Sequence, residues 1–477
     1  MRQKSILKYV GIALIAASFT GCMIPNAVNK EKRGDMPGTF SSSNDTMTSG
    51  AILRKNFFSD SNLLALIDTA LANNQELNII LQEINVARND IMAKKGEYLP
   101  FLHIGGAAGT DKSGRYTRYG ALEANNEIKT GTPFPAAVPD YTFGAKLSWE
   151  VDIWKKLRNA RQSTVYKYLG TIEGKNFMVT RLVSEIAYSY YELLALDNQL
   201  EILRQNIQIQ QNALQIVRLQ KLAGKVTELA VLRFEAEVMK NKSRQFYIEQ
   251  RIIEAENRIN FLVGRFPQPV IRESSKFLQM VPDSIHAGIP SQLLANRPDI
   301  RQAEYGLMSA KLDIKVARAN FYPSLRITGG VGYQAFNPQY LISTPQSMIY
   351  NMAGELMAPL INRKAIKATF LNANAKQVQA VYSYEKAVLN GFVDVTNGMA
   401  NISNLKQSYS FKEGQVQALT KSIQISTTLF KSARADYMEV LLTQRDALES
   451  KMELVEIKKQ QLNAVVKMYQ TLGGGWN

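Results

Sequence analysis

The chain contains an internal duplication, which constrains its fold more than any other sequence feature. Residues 71–110 align with residues 294–333 at a constant offset of 223, without a gap. In the first copy the identical positions are Leu71, Ala72, Asn73, Ala87, Asp90, Ile91, Pro100, Leu102, Ile104, Gly106 and Gly109. Further along, the offset falls to 210 and aligns Gly264 with Gly474. Two copies of one unit predict two structurally related halves, with extra loop residues in the first.

Each copy contains a long stretch that can be helical, because residues 140–266 and 360–477 contain no proline. In the first stretch, apolar residues recur every three or four positions, which is typical of a helix that packs along one face. These positions are Val179, Leu182, Ile186, Tyr190, Leu193, Leu196, Leu200, Leu203 and Ile207. Gly224 interrupts the period, so we expect antiparallel helical hairpins over 153–263 and 362–472.

Four segments alternate between apolar and polar residues, the pattern of a strand with one apolar face. They cover about 101–111, 140–152, 324–335 and 347–360, and a strand that crosses an outer membrane needs about 9 to 11 residues. A globular sheet is the alternative interpretation. If the strands lie in a membrane, four of them cannot close a barrel, and an open edge would leave backbone groups unpaired in hydrocarbon. Several copies of the chain must then contribute to one barrel.

The N-terminal residues have the pattern of a bacterial export signal. Three cations precede a short apolar run over 9–17, and small residues precede Cys22. Small residues before a cysteine resemble the processing site of lipoproteins, which predicts residues 1–21 as a signal peptide and Cys22 as a lipidated N-terminus. The alternative is an ordinary signal peptide with an incidental cysteine. Residues 22–60, with clustered Pro, Gly, Ser and Asn, are predicted to form an extended tether.

Few residues are available for catalysis or metal binding. Cys22 is the only cysteine, and His103 and His286 are the only histidines, which argues against cysteine-based metal sites and imidazole chemistry. The sequence lacks phosphate-binding, zinc-protease and nucleophile-elbow motifs. We therefore predict no enzymatic activity, no cofactor and no metal. The net charge of +16 suits an anionic membrane surface, nucleic acid or simply solubility, but an exported protein is not expected to bind nucleic acid.

Several segments resemble the TolC-like outer-membrane efflux factors, in particular the lipoprotein subgroup that includes OprM and CusC. The segments are Phe57–Leu63, Leu71–Asn74, Asn296–Arg301, Val316–Ser324 and the stretch after Ala433. The resemblance implies a mainly α fold with a membrane β domain. Three protomers would form a twelve-stranded barrel, with four strands each, continued by a long α-helical periplasmic barrel. The implied function is an exit duct that passively conducts substrates, lipid-anchored in the bacterial outer membrane and extending into the periplasm.

The resemblance also implies partners and site residues. The partners would be two further copies in a homotrimer, outer-membrane lipid, a periplasmic adaptor protein and an inner-membrane pump of the RND type. The hairpin tips would contact the adaptor, through Arg218, Leu222, Ala223, Gly224, Ala433 and Arg434. A tunnel gate would be formed by Phe430, Asp436, Glu439 and Leu442. For the two carboxylates, the alternative is that they are solvated residues favoured at a helix start.

These expectations divide the chain into a signal peptide (1–21), a tether (22–60), a first repeat (61–293) and a second repeat (294–477). A function of a different class is also open from the sequence. A trimeric, lipid-anchored coiled-coil surface protein would explain the helical period and the lipidation. It predicts no alternating strands between the helical pairs, so the presence of strands separates the two hypotheses.

Overall fold

The computed structural model describes residues 24–28, 30, 37–40, 47–281, 285–359, 363–432 and 434–476. The chain forms two compact units. One contains Val86–Tyr168 and Tyr305–Val381, together with the described residues before Glu31. The other contains Leu169–Glu304 and Tyr382–Asn477, together with the described residues between 37 and Asn85.

Seven helices account for most of the described chain. They are α1 (Ser61–Asn73), α2 (Gln75–Tyr98), α3 (Lys156–Leu222), α4 (Glu228–Val263), α5 (Pro298–Ala319), α6 (Arg363–Lys431) and α7 (Tyr437–Thr471). Shorter helices cover Ser49–Ala51, Arg54–Phe57, Arg118–Glu123, Phe277–Gln279, Gln292–Asn296 and Pro338–Tyr340. The two hairpins, α3–α4 and α6–α7, repeat the same long-then-short arrangement. Among the described residues, no helix combines the length and apolar character needed to cross a lipid bilayer.

The unit that contains Val86–Tyr168 holds a four-stranded antiparallel sheet. Its strands are β1 (Phe101–Asp111), β2 (Val138–Val151), β3 (Ser324–Ala335) and β4 (Met348–Met357), hydrogen-bonded in that order. The β2–β3 pairing joins one strand pair of each repeat. A small hairpin of Glu127–Lys129 and Thr132–Pro133 lies in the connection between β1 and β2. The predicted fold class, mainly α with a four-stranded β domain, is confirmed.

The other unit contains the largest apolar core, formed by α1, α3, α4 and α7 around fully buried side chains such as Leu63, Tyr190 and Val263. All nine residues of the apolar stripe predicted in the first long helix are buried. Because consecutive members of this stripe are three or four positions apart, they lie on one side of α3 and can pack together. The interpretation of this stripe as core is therefore confirmed.

The predicted extended tether is wrong for its last part. Residues 47–58 contain two short helices and pack on the core of the second unit. Phe57 stacks on Tyr469 with ring centroids 3.8 Å apart, and the Tyr469 hydroxyl donates to the carbonyl of Ile52 at 2.6 Å. Burial of that hydroxyl raises the pKa of Tyr469 to about 12. The Pro, Gly and Ser content of residues 22–60 as a whole predicted an extended chain, although the last part contains the aromatic residues that pack on the core.

The alignment of the two hairpins at an offset of 210 is wrong by one residue. Helices α3 and α6 end at Leu222 and Lys431, an offset of 209, and α4 and α7 begin at the same offset. Gly264 and Gly473, rather than Gly264 and Gly474, share a left-handed conformation, with φ values of +78° and +88°. A run of three glycines at 473–475 made the sequence alignment ambiguous, and the backbone geometry resolves it.

Candidate functional site at the tips of the helical hairpins

The first hairpin tip is a tight turn between α3 and α4. Gly224 has a φ of +70°, a left-handed conformation that favours glycine. The amide of Lys225 donates to the carbonyl of Gln220 at 2.9 Å, and the amide of Gly224 donates to the carbonyl of Lys221 at 2.9 Å. These two bonds match the Schellman motif, which satisfies the free carbonyls of a helix end. The interruption of the helical period at Gly224 is therefore explained by a left-handed residue that ends α3.

The predicted contact residues of the first tip are solvent-exposed. Leu222 is 83% exposed, and Ala223 and Gly224 follow it at the apex. Arg218, one helical turn earlier, pairs with Glu235 at 3.3 Å, which links α3 to α4. An exposed leucine flanked by charges at a hydrogen-bonded turn has the composition of a protein contact surface.

The second tip shares one backbone hydrogen bond with the first. The amide of Arg434 donates to the carbonyl of Leu429 at 2.8 Å, which matches the bond from Lys225 to Gln220 at the offset of 209. Arg434 is exposed, and Ala433 lies outside the described residues. By this offset Ala433 is the counterpart of Gly224, not of Ala223.

Three of the predicted gate residues lie on one exposed face at the start of α7. Asp436 is the residue before the helix, and its side chain makes no capping hydrogen bond. Glu439 and Leu442 follow at intervals of three, so the three side chains are stacked along the same side of the helix, and all three are exposed. Two carboxylates at a helix start are also favoured by the helix dipole.

Phe430 is not on this face. It is half-buried and packs on an apolar cluster of the first hairpin that includes Leu214, Val217 and Phe234. Phe430 therefore joins the second tip to the first within one chain. Its position at the last turn of α6 was readable from the sequence, but its partner surface was not.

Two contacts near the tip were missed by the sequence analysis. Asp446 lies seven residues after Glu439, two turns along the same face, and pairs with Arg445 at 2.9 Å. The hydrogen bond and the charge of Asp446 raise the pKa of Arg445. A guanidinium nitrogen of Arg233 lies 3.5 Å from the sulfur of Met438 and joins α4 to α7. The seven-residue spacing could have pointed to Asp446.

Cys22, the predicted lipidation site, lies outside the described residues. Within the part of the chain that the structure describes, no group of three or more His, Cys, Asp or Glu side chains is arranged to hold a metal ion.

Known proteins share both the sequence pattern and the fold. A family profile described as outer membrane efflux protein matches residues 66–265 and 289–474. The cation efflux system protein CusC of Escherichia coli O6:H1 is 26% identical over 470 residues, 97% of each chain. The pyoverdine export outer membrane protein OpmQ of Pseudomonas aeruginosa is 26% identical over 412 residues, 86% of this chain and 85% of the relative.

The fold matches a solved outer-membrane channel. The open state of the MtrE outer membrane channel of Neisseria gonorrhoeae superimposes with a TM-score of 0.83 at 22% identity, covering 96% of this chain and 99% of that one. The sequence profile covers well over half of the chain, in two segments that each span one repeat. The protein therefore belongs to the outer membrane efflux protein family.

Proposed function

We propose that this protein is the outer-membrane exit duct of a three-component efflux system, formed by three copies of the chain. An inner-membrane pump would supply the energy and a periplasmic adaptor would join pump and duct. The chain itself would act passively, because its sequence has no motif for nucleotide binding or catalysis. The relatives named for cation efflux and for pyoverdine export differ in cargo, so we assign cargo selection to the pump.

The observation that carries this proposal is the pair of open edges of the sheet. Among the described residues, β1 and β4 each pair on one side only. Every residue of both edge strands is exposed, including the large apolar side chains of Ile104, Tyr350 and Met352. An outer-membrane protein cannot leave unpaired strand edges in lipid. Since β1 and β4 run antiparallel, β4 of one copy can pair with β1 of the next.

The hairpin tips support an adaptor contact. The described residues of both turns are hydrogen-bonded through the backbone and mostly exposed, with the cations Arg218 near the first turn and Arg434 in the second. Leu222 adds an apolar anchor that is 83% exposed at the apex. We assign the adaptor-contacting surface to Arg218, Leu222, Ala223, Gly224, Ala433 and Arg434.

We assign the gate to Asp436, Glu439 and Leu442. In a three-fold assembly each position would form a ring of three side chains. Two carboxylate rings would attract cations and repel anions, and the leucine ring would narrow the passage. Phe430 would act indirectly, by fixing the second tip against the first hairpin.

The coiled-coil surface protein is a weaker alternative, because it predicts no strands between the helical pairs. The four-stranded sheet occupies that place in both repeats. Lipidation at Cys22 remains part of our proposal as an additional membrane anchor, supported by the small residues that precede it.

Disulfide trapping across the strand edges tests the assembly. We would pair Gly105→Cys in β1 with Asn351→Cys, Ala353→Cys or Glu355→Cys in β4, one pair per variant. At least one pair is expected to give a covalent ladder that ends at three copies. The variants that carry only one of the two introduced cysteines are the matched controls and should give no ladder. A ladder that ends at two copies, or no ladder from any pair, would contradict the three-copy duct.

Single-channel recording in planar bilayers tests the gate. Glu439→Gln and Asp436→Asn should each lower the preference for cations, measured from the reversal potential in a salt gradient. Glu254→Gln is the matched control, because Glu254 is exposed on a different helix, α4. Unchanged selectivity in both gate variants, with channels still present, would remove the gate assignment and leave the duct intact.

A further inference from the structure

Two loops connect the strands of the sheet at the strand ends that do not lead into the long helices. At one end of the strands the register brings together Phe101, Val151, Ser324 and Met357, where the strands connect to α2, α3, α5 and α6. The opposite ends of the strands are joined by the connections 112–137 and 336–347. If the helices extend into the periplasm, these connections lie at the outer surface of the membrane.

The first eight residues of the longer connection, which we call the outer loop segment (112–119), are basic and aromatic. Their sequence is Lys-Ser-Gly-Arg-Tyr-Thr-Arg-Tyr, with three cations and no acidic residue. Lys112, Arg115 and Arg118 are exposed, and Tyr116 and Tyr119 are largely exposed as well. Cations beside tyrosines are typical of protein surfaces in the interfacial zone of a membrane.

The outer loop segment is folded rather than extended. Thr117 precedes the short helix Arg118–Glu123, and its hydroxyl accepts from the amide of Gly120 at 3.2 Å and donates to the carbonyl of Gly114 at 2.7 Å. A Cβ at Gly120 would lie 2.1 Å from that same carbonyl, so the two glycines are in close contact. The exposed side chains therefore project from a preformed turn, which lowers the entropy cost of binding a ligand.

The nearby acidic residues leave these cations without partners. Within the described residues, Lys112, Arg115 and Arg118 form no ion pair. Glu123 accepts from the hydroxyl of Ser113 at 2.8 Å, and Glu127 accepts from the amide of Gly131 at 2.8 Å. The unpaired charge of the segment is complementary to an anionic ligand.

We propose that the outer loop segment binds the phosphorylated glycolipid of the outer leaflet. Arg115 and Arg118 would each hold phosphate oxygens through the planar guanidinium fork. Tyr116, Tyr119 and the half-exposed Leu122 would lie against the sugar and upper acyl region. The proposal rests on the outer-membrane location of the chain and not on its role in export, so loss of lipid binding and loss of transport are separate outcomes.

Native mass spectrometry of the full-length protein in detergent tests this site, with purified bis-phosphorylated lipid A as the probe. Arg115→Gln/Arg118→Gln should bind the probe about tenfold more weakly or worse, because two charge-assisted contacts are removed. Tyr116→Ala/Tyr119→Ala should weaken binding less, by about threefold. The matched control is Arg88→Gln/Arg161→Gln, which removes two exposed arginines from α2 and α3 and should bind like the unmodified protein.

Ligand variants of the same experiment identify the source of the phosphate. The fully dephosphorylated glycolipid should bind at least tenfold more weakly to the unmodified protein, which tests the proposal even if a protein variant misfolds. Equal binding of that lipid, or equal binding by the double arginine variant, would overturn the proposal. Displacement of lipid A by inorganic phosphate at equal concentration would point to a free-anion site instead and would also overturn it.

Two further results would count against a lipid site. If the double arginine variant loses its oligomeric state, the segment is a contact between copies. If it changes the ion selectivity of the channel while lipid A binding is unchanged, the segment faces the water-filled passage.

Discussion

In both repeats the end of the second hairpin helix, α4 or α7, packs against an equivalent part of the chain. The side chains that donate hydrogen bonds to the two helix ends differ. In the first repeat Gly264 follows the last residue of α4, and a Cβ there would lie 2.5 Å from the carbonyl oxygen of Asn73. In the second repeat a Cβ at Gly473 would lie 2.4 Å from the carbonyl oxygen of Asn296. Both glycines have positive φ, and both partner asparagines belong to the duplicated Leu-Ala-Asn sequence. The backbone contact is therefore shared by the repeats.

The side chain that follows this asparagine differs between the repeats. In the first, the amide of Asn74 donates to the carbonyl of Leu262 at 2.9 Å, and its oxygen accepts from the amide of Leu77 at 2.9 Å. In the second, Arg297 occupies the same position and donates to the carbonyl of Thr471 at 3.1 Å. The two carbonyls are themselves equivalent at the offset of 209. One helix-end carbonyl is thus satisfied by a neutral amide in one repeat and by a guanidinium in the other.

The guanidinium brings further contacts that the amide does not need. Arg297 pairs with Asp299 at 2.7 Å and with Asp394 at 3.4 Å, although its side chain is only 9% exposed. Burial disfavours the charge, but the two carboxylates outweigh it and raise the pKa of Arg297. The comparison shows that the fold fixes a donor at this position, whereas the charge is a local choice that requires its own partners.

The largest expected effect is for Arg297→Met. The substitution leaves two carboxylates and the Thr471 carbonyl without their donor, which should lower the free energy of unfolding by about 4 kcal/mol. Urea unfolding in detergent at fixed protein concentration, followed by circular dichroism, measures this loss. Arg297→Lys keeps the positive charge but not the planar guanidinium fork, so its free energy of unfolding should fall between those of the unmodified protein and Arg297→Met. A loss below about 1 kcal/mol for the methionine variant would mean that the ion pairs contribute little.

The glycine contact should be equally sensitive in both repeats. Gly264→Ala and Gly473→Ala each place a Cβ against a backbone carbonyl and force a left-handed conformation on alanine. We expect each to cost about 3 kcal/mol. The same urea experiment compares them, with Gly38→Ala as a control because a Cβ there would meet no atom within 4 Å. A large difference between the two variants would show that the backbone contact is not shared as described.

The neutral donor should matter less than the charged one. Asn74→Ala removes the contact with Leu262 and the cap on α2, and we expect a loss of about 2 kcal/mol. Asn74→Asp keeps the cap but not the donor, so it separates the two contributions in the same unfolding experiment. If Asn74→Ala costs as much as Arg297→Met, the charge is not what distinguishes the two repeats.

The smallest expected effect concerns two neighbouring lysines, Lys458 and Lys459. Like Asn74 and Arg297, they differ in whether carboxylate partners accompany the buried group. Burial opposes the charge of Lys459, but Glu192 at 2.6 Å and Glu456 at 2.9 Å outweigh it and raise its pKa. Burial lowers the pKa of Lys458, which lies 4.9 Å from the ring centre of Tyr409, and the charge of Glu413 only partly opposes this.

The two lysines should therefore give opposite pH dependence. Between the lowered pKa of Lys458 and its usual value of 10.5, the unfolded state binds more protons, so stability rises with pH. The raised pKa of Lys459 gives a loss of stability as the pH rises through it, above 10.5. Lys458→Met should remove the rise in stability below pH 10.5, and Lys459→Met should remove the loss of stability above it. Urea midpoints measured in detergent between pH 8 and about pH 11 test both signs; a rise that survives in Lys458→Met would contradict the first.

Periodicity in the sequence was sufficient to predict the long helices and the four strands of the larger sheet. The apolar stripe on α3 predicted a buried helix face, and the alternating segments predicted all four strands of the sheet. The proposed gate residues were only partly predictable from the sequence. Asp436, Glu439 and Leu442 share a face because of their spacing of three, which is visible in sequence. The burial of Phe430 depends on Phe234 and Val217, which lie about 200 residues away in the chain.

The sequence by itself determined the duplication, the order of helices and strands, and the tight turn at Gly224, because these depend on local backbone preference and on the period of apolar residues. Only the tertiary structure decided the true offset between the hairpins, the packing of residues 47–58 on the core, and the partners of Asn74 and Arg297. Those features depend on contacts between residues far apart in the chain, and such contacts leave no period in the sequence.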